Sequence, residues 1–211
     1  MLYADRLTAG RALGSELTHL RAEYPLVLGL PRGGVPVAAA VRDIVGGDLD
    51  ILLVRKLGVP WQPELAAGAI GEEGARVLNA DVLRQTGLDR ARLEAIEADE
   101  RAELDRRRII WRGDVPPIPL RDRTVVIVDD GVATGATVVV ACRVARARQP
   151  RRIVVAVPVS APEALDRIRA EADEVVCPQA PSALAGVGGA YRDFHQLDDA
   201  EVTDLLRPDA R

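Results

Sequence analysis

Two hydrophobic rhythms alternate along this chain. Apolar runs at Leu26–Leu30, Ile51–Val54, Val125–Val128 and Arg152–Val157, with a shorter one at Glu174–Cys177, predict strands buried on both faces. Between them, apolar residues three and four apart predict helices. Leu13, Leu17, Leu20 and Tyr24 mark one ahead of the first strand. Val37, Val41 and Ile44 mark a second, with Pro36 suited to its first turn and Gly46-Gly47 to its end. Another helix follows Val128, and Ser160-Ala161-Pro162-Glu163 has the form of a capping box that opens the next. Asp89–Arg112 carries dense charge of both signs and a narrow stripe of Leu93, Ile96 and Leu104, which predicts a long surface helix. Its Arg106, Arg107 and Arg108 have acidic neighbours at i,i+4 reach and read as a solvated face. Pro116, Pro117 and Pro119 form a stiff connector. Alternating strands and helices define an α/β class, with a mainly parallel twisted sheet and helices on both faces. Ligands of such sheets sit at the carboxyl ends of the strands, which here lead into glycine turns.

Composition narrows the field. The 211 residues, 48% of them hydrophobic, suffice for one sizeable core. A formal net charge of −4 gives no electrostatic footprint for nucleic acid or an anionic membrane, so small molecules are the expected partners. No run reaches transmembrane length, and MLYADRLTAG lacks the basic-then-apolar pattern of a signal peptide; a cytoplasmic location is expected. Cys142 and Cys177 lack a CxxC spacing and read as packing residues.

Val125 to Thr137, VVIVDDGVATGAT, concentrates the chemistry. A buried strand ends abruptly in Asp129 and Asp130, so two carboxylates face a crevice. Gly131 and Gly135 permit a tight turn that aims backbone N–H groups inward, and Thr134 and Thr137 add hydroxyls at the start of a helix. Such a nest suits phosphate. The carboxylates would repel that phosphate, so they suit sugar hydroxyls or the hydration shell of magnesium. The segment lacks the GxxxxGK[ST] and GxGxxG patterns of other phosphate loops.

This segment resembles the 5-phosphoribosyl-1-pyrophosphate (PRPP) signature of type I phosphoribosyltransferases. The resemblance implies that Gly131, Val132, Ala133, Thr134, Gly135, Ala136 and Thr137 hold the 5-phosphate and that Asp129 and Asp130 fix the ribose, with Mg²⁺ as cofactor. Leu30-Pro31-Arg32-Gly33-Gly34 repeats the logic, since a buried strand runs into two glycines and a helix, with a guanidinium fork alongside. In the resembling family such an RGG loop binds pyrophosphate, which assigns that role to Arg32, Gly33 and Gly34. The resemblance also implies a small C-terminal hood over the acceptor, in which Val187, Tyr191 and Phe194 meet a base and Asp193 lies near the metal.

Of 28 basic residues, 27 are arginine and one is Lys56. That skew points to a position needing a compact ammonium charge, at pyrophosphate or the transition state. After it, Leu57 to Leu65 reads as a closing loop, with Trp61 near its tip, and residues 67–78 as a hairpin. Ala133 stands where 6-oxopurine enzymes of the family carry an aspartate, so the resemblance is closer to adenine-type enzymes; Glu64 is then the candidate for handling the base proton. The expected organisation is a core over residues 1–177, with a mobile loop at 55–66, and a hood over 178–211. The expected reaction is Mg²⁺-dependent transfer of phosphoribosyl from PRPP to a nitrogen nucleophile, expected to be a nucleobase, with release of pyrophosphate. A PRPP sensor without transferase activity is the alternative, and a homodimer is left open.

Overall fold

The computed structural model describes residues 2–184 and 186–207, except the side chains of Pro63 and Glu64. In chain order the elements are α1 (Arg6–Glu16), β1 (Leu26–Gly29), α2 (Gly34–Val45), β2 (Asp48–Ile51), β3 (Val54–Val59), β4 (Gln62–Gly71), β5 (Arg76–Leu78), α3 (Ala80–Thr86), α4 (Arg90–Trp111), β6 (Thr124–Val128), α5 (Ala136–Ala147), β7 (Arg152–Ala156), α6 (Pro162–Arg169), β8 (Glu174–Val176) and α7 (Asp199–Leu206). Five strands form a parallel sheet in the order β2-β1-β6-β7-β8. β3, β4 and β5 form a separate antiparallel sheet.

The unbroken apolar strands exist because both faces of the sheet are covered. Side chains alternate across a strand. Leu26, Leu28, Val125, Ile127, Ile153 and Val155 pack with Ala141 and Cys142 of α5 and Ile168 of α6. Val27, Val126, Val128, Val154 and Ala156 pack on the opposite face with Leu13 of α1 and Val37 and Val41 of α2. Burial raises the Cys142 thiol to about 12, so it packs as an apolar residue.

Several local expectations change in three dimensions. The run Ile51–Val54 is not one strand: β2 ends at Ile51, and the buried Leu52 and Leu53 carry the chain to β3. Residues 55–66 form the β3–β4 hairpin rather than a loop, with register shifts at Leu57/Gly58 and Gly58/Val59 that absorb its irregular residues. Ser160 does not cap α6. It is fully buried beside Val132 and donates its hydroxyl to the Ala161 carbonyl, and Pro162 begins the helix. The first helix stops at Glu16, and Leu20 lies in a 3₁₀ segment, Thr18–Glu23. Tyr24, in the left-handed region at φ 47°, is exposed.

α4 matches its predicted span, with Asp89 accepting from the Arg92 N–H as its cap. Its last turn delivers Arg112 into a buried cluster. That guanidinium donates to Asp50 Oδ1 at 2.7 Å, to Glu72 Oε1 at 2.8 Å and to the Ile51 carbonyl at 3.1 Å. The cluster joins α4, the parallel sheet and the hairpin turn after β4. Burial pushes the Glu72 carboxyl up despite the pull of Arg112. No helix among the described residues is long and apolar enough to cross a membrane.

Candidate active site

β1 leads through α2 to β2 on one side of it, and β6 leads through α5 to β7 on the other. The connections therefore diverge between β1 and β6, which creates a crevice outside their carboxyl ends. Both glycine turns emerge there. Gly29 and Val128 are paired at the ends of the two strands, and the Leu30 N–H donates to the Val128 carbonyl at 2.9 Å.

Contact between the two turns is close enough to require glycine. A Cβ on Gly33 would lie 2.0 Å from Asp130 Oδ2, and one on Gly34 would lie 2.4 Å from the Val128 carbonyl oxygen. The Pro31–Arg32 peptide is cis. Arg32 donates to the Leu197 carbonyl at 2.9 Å and pairs through Nε with Asp199 at 3.2 Å. Trp111 Nε1 donates to the same Asp199 carboxylate at 2.8 Å, so this loop, α4 and α7 are tied together.

Asp130 is held from the other side by Arg6 at the start of α1, whose Nε donates to Oδ2 at 2.9 Å; the two side chains are 9% and 13% exposed. Arg6 also donates to the His195 carbonyl at 2.9 Å. Asp129 Oδ1 accepts the Asp130 N–H at 2.9 Å. Burial raises the pKa of both carboxyls; proximity to Asp130 raises Asp129 further, and Arg6 opposes the rise at Asp130. Two half-buried acids with one nearby guanidinium thus favour a site for hydroxyl donors or a cation.

Beyond them, Val132 spends its N–H on the Val159 carbonyl, whereas Ala133, Thr134 and Thr137 are exposed. Gly135 takes φ +83° at the cap of α5, and the first N–H groups of that helix have no intrahelical acceptor. Ala136 donates to Thr134 Oγ1 at 3.4 Å. Lys56 lies within β3, opposite Ala69, and lines a cavity of about 360 Å³ with Pro31, Arg107, Trp111 and Thr137. Lys56 thus shares this cavity with Pro31 of the first glycine turn and with Thr137 at the start of α5. Glu64 falls outside the described side chains.

The hood residues behave differently from expectation. A Cβ on Gly131 would meet Val187 Cγ1 at 2.5 Å, which places Val187 directly over the signature turn. Tyr191 is not open for stacking on a base. It is buried, lies 5.8 Å from the Tyr3 ring and 5.1 Å from the Phe194 ring, and donates its hydroxyl to the Asp130 carbonyl. Burial, reinforced by Asp130, pushes that hydroxyl's pKa up. Phe194 stacks on Tyr191 and lies 4.0 Å by its centroid from the Arg6 guanidinium, while the residue remains 37% exposed. Asp193 is 66% exposed and faces His195 Nδ1 at 3.3 Å. No cluster of three metal-ligating side chains occurs among the described residues. Arg6 and Asp199 had no local sequence signal, because their partners lie 124 and 167 positions away.

These features define a doubly wound α/β domain with two glycine turns meeting at its switch point. The family model described as phosphoribosyl transferase domain matches residues 7–193. Two Mycobacterium tuberculosis proteins, of strains CDC 1551 / Oshkosh and ATCC 25618 / H37Rv and each named "Putative phosphoribosyl transferase", are 51% identical over 205 residues, covering 97% of this chain and 46% of theirs. The chain therefore spans about half the length of these relatives. The crystal structure of TT1426 from Thermus thermophilus superposes with a TM-score of 0.92 at 46% identity, covering 98% of each chain. AQ2163 from Aquifex aeolicus shares the fold at a TM-score of 0.51 and 17% identity, over 87% of this chain and 78% of that one. The chain belongs to the phosphoribosyl transferase family.

Proposed function

We propose that this phosphoribosyltransferase transfers the 5-phosphoribosyl group of PRPP to a nitrogen nucleophile of a small-molecule acceptor, a nucleobase or a related heterocycle, and releases pyrophosphate. The observation that carries this reading is the contact of Gly33 with Asp130, which sets the two glycine turns on either side of one acidic pair. That spacing suits a sugar with anionic groups at both ends. Residues 131–137 would hold the 5-phosphate on turn N–H groups and the α5 N-terminus. Arg32, Gly33 and Gly34 would hold pyrophosphate, with Lys56 supplying a further positive charge from β3.

Asp129 and Asp130 would accept hydrogen bonds from the ribose hydroxyls. Their adjacency, with Asp129 Oδ1 accepting the Asp130 N–H, fits a Mg²⁺ site completed by substrate oxygens and water, since the described residues offer two carboxylates rather than a full cage. Bound Mg²⁺ would neutralise charge on the departing pyrophosphate. Asp193 would join it only through water or substrate. The β3–β4 hairpin, with Trp61 exposed near its tip, would exclude water from an oxocarbenium-like transition state, and Glu64 on that hairpin is the candidate base. Ala133 supplies no carboxylate for that task, which is the observation favouring a PRPP sensor as the second reading.

Pyrophosphate release from PRPP and Mg²⁺ across an acceptor panel, with Asp130→Asn as control, tests the proposal. A product that requires both acceptor and Asp130 supports transfer. PRPP binding without release from any acceptor supports the sensor, and absence of PRPP binding overturns both readings.

A further inference from the structure

The cleft has a cationic wall to which the two glycine turns contribute only Arg32. Beside Asp130 lies a cavity of about 410 Å³ into which α1, the turn after β1 and α4 bring four arginines: Arg6, Arg32, Arg106 and Arg107. Asp130 is the one carboxylate among its lining residues. The arginines of α4 are only partly neutralised from outside. Arg106 and Arg107 share the single carboxylate of Glu103, with Arg106 forked across both of its oxygens at 2.7 and 2.9 Å and Arg107 reaching it through Nε at 2.6 Å. Arg106 and then Arg107 hold the Glu103 carboxyl down to about 2. A guanidinium has five N–H donors, so each retains capacity for a second acceptor.

A neutral planar base is poorly served here. Such ligands take apolar slots with an open aromatic face and a few neutral polar groups. The aromatic rings lining this cavity are Trp111, which is buried, His195, and Phe194, which is 37% exposed but already stacked on Tyr191 with the Arg6 guanidinium 4.0 Å from its centroid. Arginine forks match carboxylates in shape and charge, and the Arg106–Glu103 pair shows that geometry on this wall. We propose that the acceptor carries a carboxylate and that Arg106 and Arg107 of α4 bind it. This rests on the phosphoribosyltransferase reading above and narrows its acceptor to an anionic class. A heterocycle bearing a carboxylate satisfies both.

The test uses the full chain and acceptor pairs that differ in one carboxylate: orotate against uracil, and nicotinate against nicotinamide. Titration calorimetry is run in the presence of Mg²⁺ and pyrophosphate, and PRPP is titrated separately. The expected result is at least tenfold tighter binding of the carboxylate member. An Arg106→Gln/Arg107→Gln double variant should lose that preference and keep its affinity for PRPP. Their side chains are 56% and 32% exposed and their ion pairs lie within α4, so this variant should fold. Equal binding within both pairs, or no binding of either member, overturns the proposal. A double variant that loses PRPP affinity and retains the acceptor preference also overturns it, by assigning these arginines to pyrophosphate. Failure of the unmodified chain to bind PRPP would overturn the underlying reading, and this proposal with it.

Discussion

Gly33 and Asp130 are in contact so close that a single added carbon would lie 2.0 Å from the carboxylate oxygen. Asp130 cannot simply turn away, because Arg6 holds the same oxygen at 2.9 Å. Gly33→Ala should therefore push the turn after β1 and the acidic pair apart. Overpacking of this kind costs about 1–3 kcal/mol. Thermal denaturation should show that modest loss, and calorimetry should show at least a tenfold fall in PRPP affinity. Unchanged PRPP binding would mean that the two turns do not act on one ligand.

Asp129 offers the opposite trade. Its carboxyl is buried beside a second acid, and its folded pKa is raised well above the ordinary value. A carboxyl raised in this way favours the folded state while protonated and loses that contribution as pH rises through the folded pKa. Asp129→Asn removes the charge and keeps an oxygen for the Asp130 N–H. The variant should melt higher than the parent at neutral pH, by roughly 2–4 °C for each kcal/mol relieved in a chain of this size. Below ordinary carboxylate pKa values the two should converge. Pyrophosphate release should be abolished in the same variant, and retained release would remove Asp129 from the reaction.

Arg112 is a structural charge rather than a functional one. Arg112→Met would leave Asp50 and Glu72 buried without their cation, a loss worth about 3–5 kcal/mol. Glu72 is already raised by burial, so the deficit should be largest where its carboxyl is ionised and should shrink as pH falls through its raised pKa. Denaturant titrations at two pH values read this directly. A pH-independent deficit would show that lost packing, not charge, is responsible.

Lys56 faces the cavity shared by Pro31 and Thr137. If its compact ammonium meets pyrophosphate, Lys56→Arg should lower turnover at least tenfold with no change in melting temperature, since charge is conserved and only shape and hydration differ. Full activity in a steady-state assay would end the argument from the chain's arginine bias.

Legibility in the sequence followed the range of the forces involved. Val125–Val128 and Leu26–Gly29 were readable because a strand covered on both faces must be apolar throughout, and the acids and glycines after them are local signals of where the core ends. The hairpin expected over residues 67–78 is present as β4 and β5, whereas residues 55–66, which read as a loop, pair as β3 and the start of β4. Gly58, Pro60 and Trp61 punctuate that segment, and only pairing of β3 with β4, through two register shifts, orders it as strands. Ser160 had the spacing of a cap, but burial against Val132 gave its hydroxyl another partner.

By itself, then, the sequence determined the α/β alternation, the two glycine turns and the acidic pair, because each depends on residues within one turn or strand of one another. Only the tertiary structure decided that Arg6 would hold Asp130, that Tyr191 would be buried against Tyr3 with its hydroxyl on the Asp130 carbonyl, and that α4 would bring Arg106 and Arg107 to the cleft. Those contacts join residues far apart in the chain. They arise when packing of the core fixes which helix faces which strand end, and no local pattern records that choice.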